Sequence, residues 1–174
     1  WFGGVAKWEV RDKDGSKVLA RIMDNPLFQR TVSLLGHPDD HDYTIRTDVC
    51  VAGNRRSMAS VGVIHQRYLI ELKGNYQEIE VSSNVEALKA SAHCAIQPET
   101  WYTLVTRVER KPDGSGVVRA KVWPRGETEP EAWTIEVPHA DVHPSGAAGI
   151  YGFTPMSRFE AYLDNLTITP DSPR

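Results

Sequence analysis

Cysteine is scarce in this chain of 174 residues: Cys50 and Cys94 are the only two. A bond between them would close a loop worth about 4 kcal/mol in the chain-entropy view. In "YTIRTDVCV" the apolar face is Tyr43, Ile45, Val49 and Val51, which turns Cys50 the other way. Cys94 alternates with Ala92 and Ile96 and looks inward. Cross-linked cysteines must face each other, so two thiols are the simpler expectation and a disulfide the alternative. No apolar run approaches the roughly 18 residues of a membrane helix. A formal charge of −3 gives no general reason to expect nucleic acid or an anionic membrane. Neither a Gly-x-Ser-x-Gly elbow nor a phosphate-cradling glycine loop before a helix is present. Internal repeats and low-complexity segments are missing too. There is no signal-peptide pattern, and the chain opens at Trp1 without Met. The expectation is a mature form or a piece of a longer chain.

What is present is strand. With 40% hydrophobic and 25% charged residues, the chain has ordinary globular composition and enough length to bury one core. Period-2 alternation recurs in "KWEVRD", "KVLARI", "DYTIRTDVCV", "SVGVIHQ", "RYLIELK", "QEIEVSS", "WYTLVTRVER", "VVRAKVWP", "AWTIEVP", "AGIYGF" and "FEAYLDNLTITP". Turn chemistry separates them, as in "KDGSK", "GHPDD", "KGN", "KPDGSG" and "HPSG". Eleven or so strands joined by such turns predict an all-β sandwich or barrel. Only "SNVEALKASA" (83–92) offers room for a helical turn. Residues 1–170 are expected to form one domain, with 171–174 a frayed tail.

The order "WYTLVTRV", "VRAKVWP", "WTIEV", "GAAGIYGF", "FEAYLDNLTI" resembles the second half of a concanavalin A-like (laminin G-like) jelly roll. More narrowly, "NPLFQR", "GNRRSM", "RYLIELKGN" and "PEAWTIEVPH" resemble the domain appended to pyrroloquinoline-quinone-type β-propeller proteins of planctomycete-like bacteria. The resemblance implies two antiparallel sheets with the N- and C-terminal strands adjacent, and a periplasmic or extracellular setting. It also implies a range of roles, since such jelly rolls serve as lectins, carbohydrate-binding modules, glycanases, lyases and adhesion domains.

Glycanases of this scaffold are similar in a Glu-x-Asp-x-x-Glu strand; here "QEIEVSS" puts Glu78 and Glu80 on one face, followed by Ser82 and Asn84 and no third carboxylate. Lyases of the fold are similar in a Gln-x-His strand with a supporting Arg and a Tyr base; "VIHQR" reverses that order and puts His65 and Gln66 on opposite faces, leaving a lyase that uses His65 and an Arg as the alternative. "HPDDHD" (37–42) reads as a turn before a strand, with cation binding as the alternative, and His139 and His143 sit in a loop where zinc spacing carries little weight. The resemblance implies a structural calcium through Asp164 of "YLDNL"; the alternative is that Asp164 caps a nearby loop through backbone N–H groups.

Recognition remains the leading expectation: a non-catalytic module that binds carbohydrate or docks on an adjacent domain. Jelly rolls of the resembled type bend one sheet into a concave face, where rings stack on sugars and polar groups surround them. Thr44, Arg46 and Asp48 alternate away from the core, with a cross-strand ion pair as the simpler reading of Arg46 and Asp48. "SVGVIHQ" and "RYLIEL" are two strands, and His65, Gln66, Arg67 and Tyr68 gather where the chain reverses. Arg55 and Arg56 belong to the loop before them. Trp123 and Trp133 flank "PRGETEPEA" and form either a wall of the groove or part of the core. The expected ligand-binding set is therefore Arg46, Asp48, Arg55, Arg56, His65, Gln66, Arg67, Tyr68 and Trp123.

Overall fold

The computed structural model describes residues 2–3 as backbone, together with 7–21, 30–54, 56–155 and 158–171. Arg55, residues 25–29 of "NPLFQR" and tail residues 172–174 lie outside the described residues. The strands are β1 (Phe2–Gly3), β2 (Trp8–Lys13), β3 (Ser16–Arg21), β4 (Arg30–Leu34), β5 (Tyr43–Val51), β6 (Gly53–Asn54), β7 (Ser57–Met58) and β8 (Ser60–His65). They continue as β9 (Tyr68–Lys73), β10 (Glu78–Ser83), β11 (Leu88–His93), β12 (Trp101–Arg110), β13 (Gly116–Pro124), β14 (Ile135–His139), β15 (Gly149–Phe153) and β16 (Ala161–Pro170). No α-helix occurs among the described residues. Residues 84–87 form a turn and 88–93 a strand, so the helical turn expected in 83–92 is corrected.

Two seven-stranded antiparallel sheets stack face to face, giving the all-β sandwich of a jelly roll. The first runs β1-β4-β15-β8-β9-β10-β11 and the second β14-β13-β12-β5-β16-β3-β2. The terminal strands themselves, β1 and β16, lie in different sheets, and β16 pairs with the early strand β3. The last described residue is part of this structure: the Asp171 carboxylate accepts from Thr44 Oγ1 at 2.5 Å and lies 3.3 Å from Arg107. The tail therefore begins no earlier than residue 172.

Alternation decides which side chains fill the space between sheets. Ile45, Val49 and Val51 of β5 meet Val61 and Val63 of β8, Ile70 and Leu72 of β9, and Ile79 and Val81 of β10 in one core. Cys50, on the opposite face of β5, is buried under Val18 and Trp101 with Tyr162 alongside. Burial pushes its thiol up to about 12. Both cysteines are free, Cys94 packing against the main core.

The β8–β9 turn is the tightest feature of the first sheet. Gln66 and Arg67 both take positive φ, 46° and 71°. Such a two-residue turn ordinarily uses Asn or Gly, and the left-handed region costs other residues about 1–2 kcal/mol each. Tertiary contacts hold it: Gln66 N donates to Tyr43 Oη at 3.1 Å, and Gln66 Nε2 donates to the His143 carbonyl at 3.2 Å. Gly146 presses on the turn so closely that a Cβ there would lie 2.9 Å from the Gln66 Cα.

His65 is inside the sandwich and not at a rim. Its ring is fully buried, stacks on Tyr43 at 4.4 Å and pairs through Nδ1 with Thr106 Oγ1 at 2.8 Å. Burial drives its pKa down to about 3. Because the unfolded His binds a proton near 6.5, stability is present above that pH and is lost as pH falls toward 3. Below pH 6.5 the wild type should lose stability faster than His65→Asn, by up to about 1.4 kcal/mol per pH unit. Urea unfolding at stepped pH measures this, and parallel curves for the two proteins would rule it out. Packing gives a second expectation. A Cβ at Gly62 would sit 2.1 Å from the Ile70 carbonyl oxygen of the paired strand, so Gly62→Ala should cost about 2–4 kcal/mol in the same assay.

Candidate functional site

The residues expected to form one binding rim are spread over four places, with Arg67 exposed on the β8–β9 turn and Arg55 outside the described residues. His65, Gln66 and Tyr68 belong to the interior. Tyr68 is wholly buried, its hydroxyl 2.7 Å from His139 Nδ1 and accepting from His143 N at 3.2 Å. His139 Nε2 in turn meets Glu86 at 2.7 Å, and His143 Nε2 meets Ser83 Oγ at 2.9 Å. This chain of polar groups runs from the buried Tyr68 hydroxyl to the half-exposed Glu86, while His65 Nε2 and Gln66 Oε1 have no hydrogen-bond partner among the described residues. His65 as a catalytic residue of a lyase is corrected too, because its ring is fully buried. Arg56 lies on the exposed β6–β7 hairpin, where its N–H donates to Asn54 Oδ1.

Arg46, Asp48, Trp123 and Asp164 do share a face, the outer side of the second sheet. Register explains it: Asp48 opposes Thr103, Thr103 opposes Trp123, and Asp48 also opposes Asp164. The face is already occupied by its own groups. Arg46 lies 5.2 Å over the Trp123 ring and pairs with Glu129 at 2.8 Å. Lys121 reaches Trp123 and Trp133, and Arg125 sits 4.7 Å over Trp101. Arg46 and Asp48 are not partners; Asp48 accepts from Thr103 Oγ1 at 2.7 Å and from Asn165 Nδ2 at 2.8 Å. Trp123 exposes only 6%, and its π-face is taken by Arg46 and Lys121 of this chain. Trp133 joins this group through Lys121 and not the inward face of Ile135 and Val137.

Asp164 stands at a bulge where β5–β16 register shifts before Thr167. Its carboxylate accepts from Asn165 N at 2.9 Å and lies 3.9 Å from Arg125. The backbone N–H it takes is that of its chain neighbour and not of a nearby loop. Among the described residues no three His, Cys, Asp or Glu side chains converge as metal ligands. The "HPDDHD" segment forms a turn, Asp40 N donating to the His37 carbonyl.

The outer face of the first sheet is different. Cross-strand pairing aligns Tyr151, Gly62, Glu71, Glu80 and Ser91 in one row, with Lys73, Glu78 and His93 in the next. Side chains on an outward face are usually wet, yet Glu71, Glu80 and Tyr151 expose only 7, 5 and 4%. Glu78 and Glu80 share a face as the alternation predicted, and both hold Lys73, at 3.1 and 2.8 Å. The third carboxylate, absent further along β10, comes from the neighbouring strand: Glu71 faces Glu80 directly. Among the described residues no ion pair holds Glu71, which takes a hydrogen bond from the Tyr151 hydroxyl. Burial, and then the charge of Glu80, raise its pKa to about 7 against the pull of Lys73 and Arg30. Beside this row Tyr76 exposes 69% of its surface, with Lys73 Nζ 4.5 Å from its ring centre.

These residues form a floor of hydrogen-bonding groups with an open ring at one end. Glu71 and Tyr76 escaped sequence reasoning because cross-strand register, which joins Glu71 to Glu80, is invisible in one strand read alone. The only signal was "RYLIELKGNYQEIE", whose short turn makes β9 and β10 neighbours.

A carboxyl whose folded pKa is raised stabilises the protein below its unfolded value, near 4.5, and loses that contribution as pH rises through 7. Glu71→Gln removes the charge, so the variant should be more stable than the wild type at pH 8 by about 1–2 kcal/mol. The gap should close by pH 5. Urea unfolding at both values measures it; a variant less stable at pH 8 would contradict this electrostatic account.

No family model matches the chain, and no curated protein matches it in sequence. Solved structures do match its fold. The chain is similar to the carbohydrate binding module CBM66 from Bacillus subtilis (TM-score 0.59, 17% identity, 94% of this chain and 95% of that one). It is also similar to a Bacillus subtilis protein of unknown function with a galectin-like fold (0.61, 11%, 97% and 87%). A third is an alginate lyase from Aplysia kurodai (0.57, 11%, 95% and 88%). At these identities the likeness establishes the jelly-roll fold of the chain.

Proposed function

We propose that this domain is a non-catalytic carbohydrate-recognition module whose ligand lies on the outer face of the first sheet. The observation that carries the proposal is the exposed Tyr76 ring beside the Lys73, Glu78, Glu80 and Glu71 side chains. A ring offers an apolar face to sugar C–H groups, while fixed carboxylates and an ammonium take hydrogen bonds from and to the hydroxyls. Several matched folds are named as carbohydrate-binding or polysaccharide-degrading proteins, which is consistent with a sugar ligand. The role fits a larger secreted or periplasmic protein, as the resemblance to a propeller-appended domain implies, and an adjacent domain of that protein is the rival occupant.

A second reading is a glycan-degrading enzyme. One observation favours it: Glu71, with its pKa near 7, stands opposite Glu80 in a buried row, the kind of unlike pair that supplies acid and base. A glycan array followed by calorimetry separates the readings. Recognition predicts a ligand whose affinity falls at least about tenfold in Tyr76→Ala, the loss expected for one stacked ring, with no product formed. Silence across a broad panel would sink it. Release of reducing ends or unsaturated uronides, abolished in Glu71→Gln and Glu80→Gln, would replace recognition with catalysis.

A further inference from the structure

The same outer face continues past its charged row into an apolar end. One row beyond Glu71 and Tyr151, cross-strand pairing brings Leu34, Gly149, Ile64 and Leu69 together. Two residues along a strand is roughly 7 Å, about the length of one sugar ring. There the surface sinks into an open cleft of about 490 Å³, walled by Leu34, Pro38, Ile64 and Ala147. Arg67 stands at its edge. It makes no hydrogen bond or ion pair with the described residues and is presented by the turn in which Gln66 and Arg67 both hold positive φ. Strain held by surrounding contacts at a cleft is an observation that points toward function.

The occupant's chemistry follows from the lining. Apolar walls select hydrocarbon, and the single unpaired guanidinium selects an oxygen acceptor. A free carboxylate is disfavoured, because the loop that contributes Pro38 also carries Asp39, Asp40 and Asp42. A neutral carbonyl avoids that repulsion and still accepts from Arg67. We propose that the cleft is a subsite for the acyl chain of an N- or O-acylated glycan, its carbonyl held by Arg67. This rests on the carbohydrate reading of the adjoining row and names the class of sugar that the row takes.

Titrating the ¹⁵N-labelled domain with N-acetylglucosamine, N-octanoylglucosamine and hexanamide tests it. The octanoyl sugar should bind at least about tenfold more tightly than the acetyl one, since each buried methylene contributes roughly a three- to fourfold gain. Amide shifts should centre on Ile64, Gly146 and Ala147. Leu34→Asp or Ile64→Asn, both half-exposed positions, should erase the gain, and Arg67→Gln should reduce it several-fold. Equal affinity for the two sugars would overturn the subsite while leaving the sugar face standing. Hexanamide carries no sugar: its shifts at those amides support the cleft even if neither glucosamine binds, an outcome that counts against the carbohydrate reading instead. Absence of both the hexanamide shifts and the octanoyl gain overturns the proposal.

Discussion

One hydroxyl ties the working end of this sandwich together. Tyr43 Oη accepts from Gln66 N and donates to the Gly146 carbonyl at 2.8 Å, so β5 of one sheet, the β8–β9 turn of the other and the loop entering β15 meet at a single buried atom. Burial pushes the phenol up to about 12, which keeps it a donor at every physiological pH. A neutral hydrogen bond nets only about 1 kcal/mol. Its weight here is geometric, because the same atom holds Gln66 in a conformation its sequence disfavours and sets where Arg67 leaves the surface.

The two outward faces divide along a simple electrostatic line. On the second sheet Trp101 and Trp123 lie buried under cations, whereas on the first Tyr76 stays exposed although Lys73 lies 4.5 Å from its ring centre. On the first sheet Lys73 is shared by Glu78 and Glu80, Lys89 adds a second ammonium to Glu80 at 3.2 Å, and Glu71 is left with a phenol. An exposed ring beside these carboxylates is what suits this face to the proposed sugar ligand.

Fold was far more legible in the sequence than site. Alternation carries its own register along a strand, so all eleven segments from "KWEVRD" to "FEAYLDNLTITP" became strands. β11 hid because its inward positions, Leu88, Ala90 and Ala92, are small and helix-compatible, and tertiary pairing overrode local preference. β4 hid behind a short polar run. The site failed for a different reason. His65, Gln66 and Tyr68 sit at a chain reversal, which in one dimension looks like a rim, yet Tyr43 reaches across and closes that end from the other sheet. Conversely, Glu71 and Glu80 are nine residues apart and meet only because β9 and β10 pair. Contacts between strands decide both outcomes, and a single sequence does not print them.

β11 forms one border of the first sheet, and its outer backbone groups have no strand beyond them among the described residues. A bare edge invites another chain to add itself. Here Lys89 and His93 project on the outward face and are exposed, while the inward face carries alanines too small to anchor an intruding strand. The border that frames the Glu80 row is thereby a poor template for self-association.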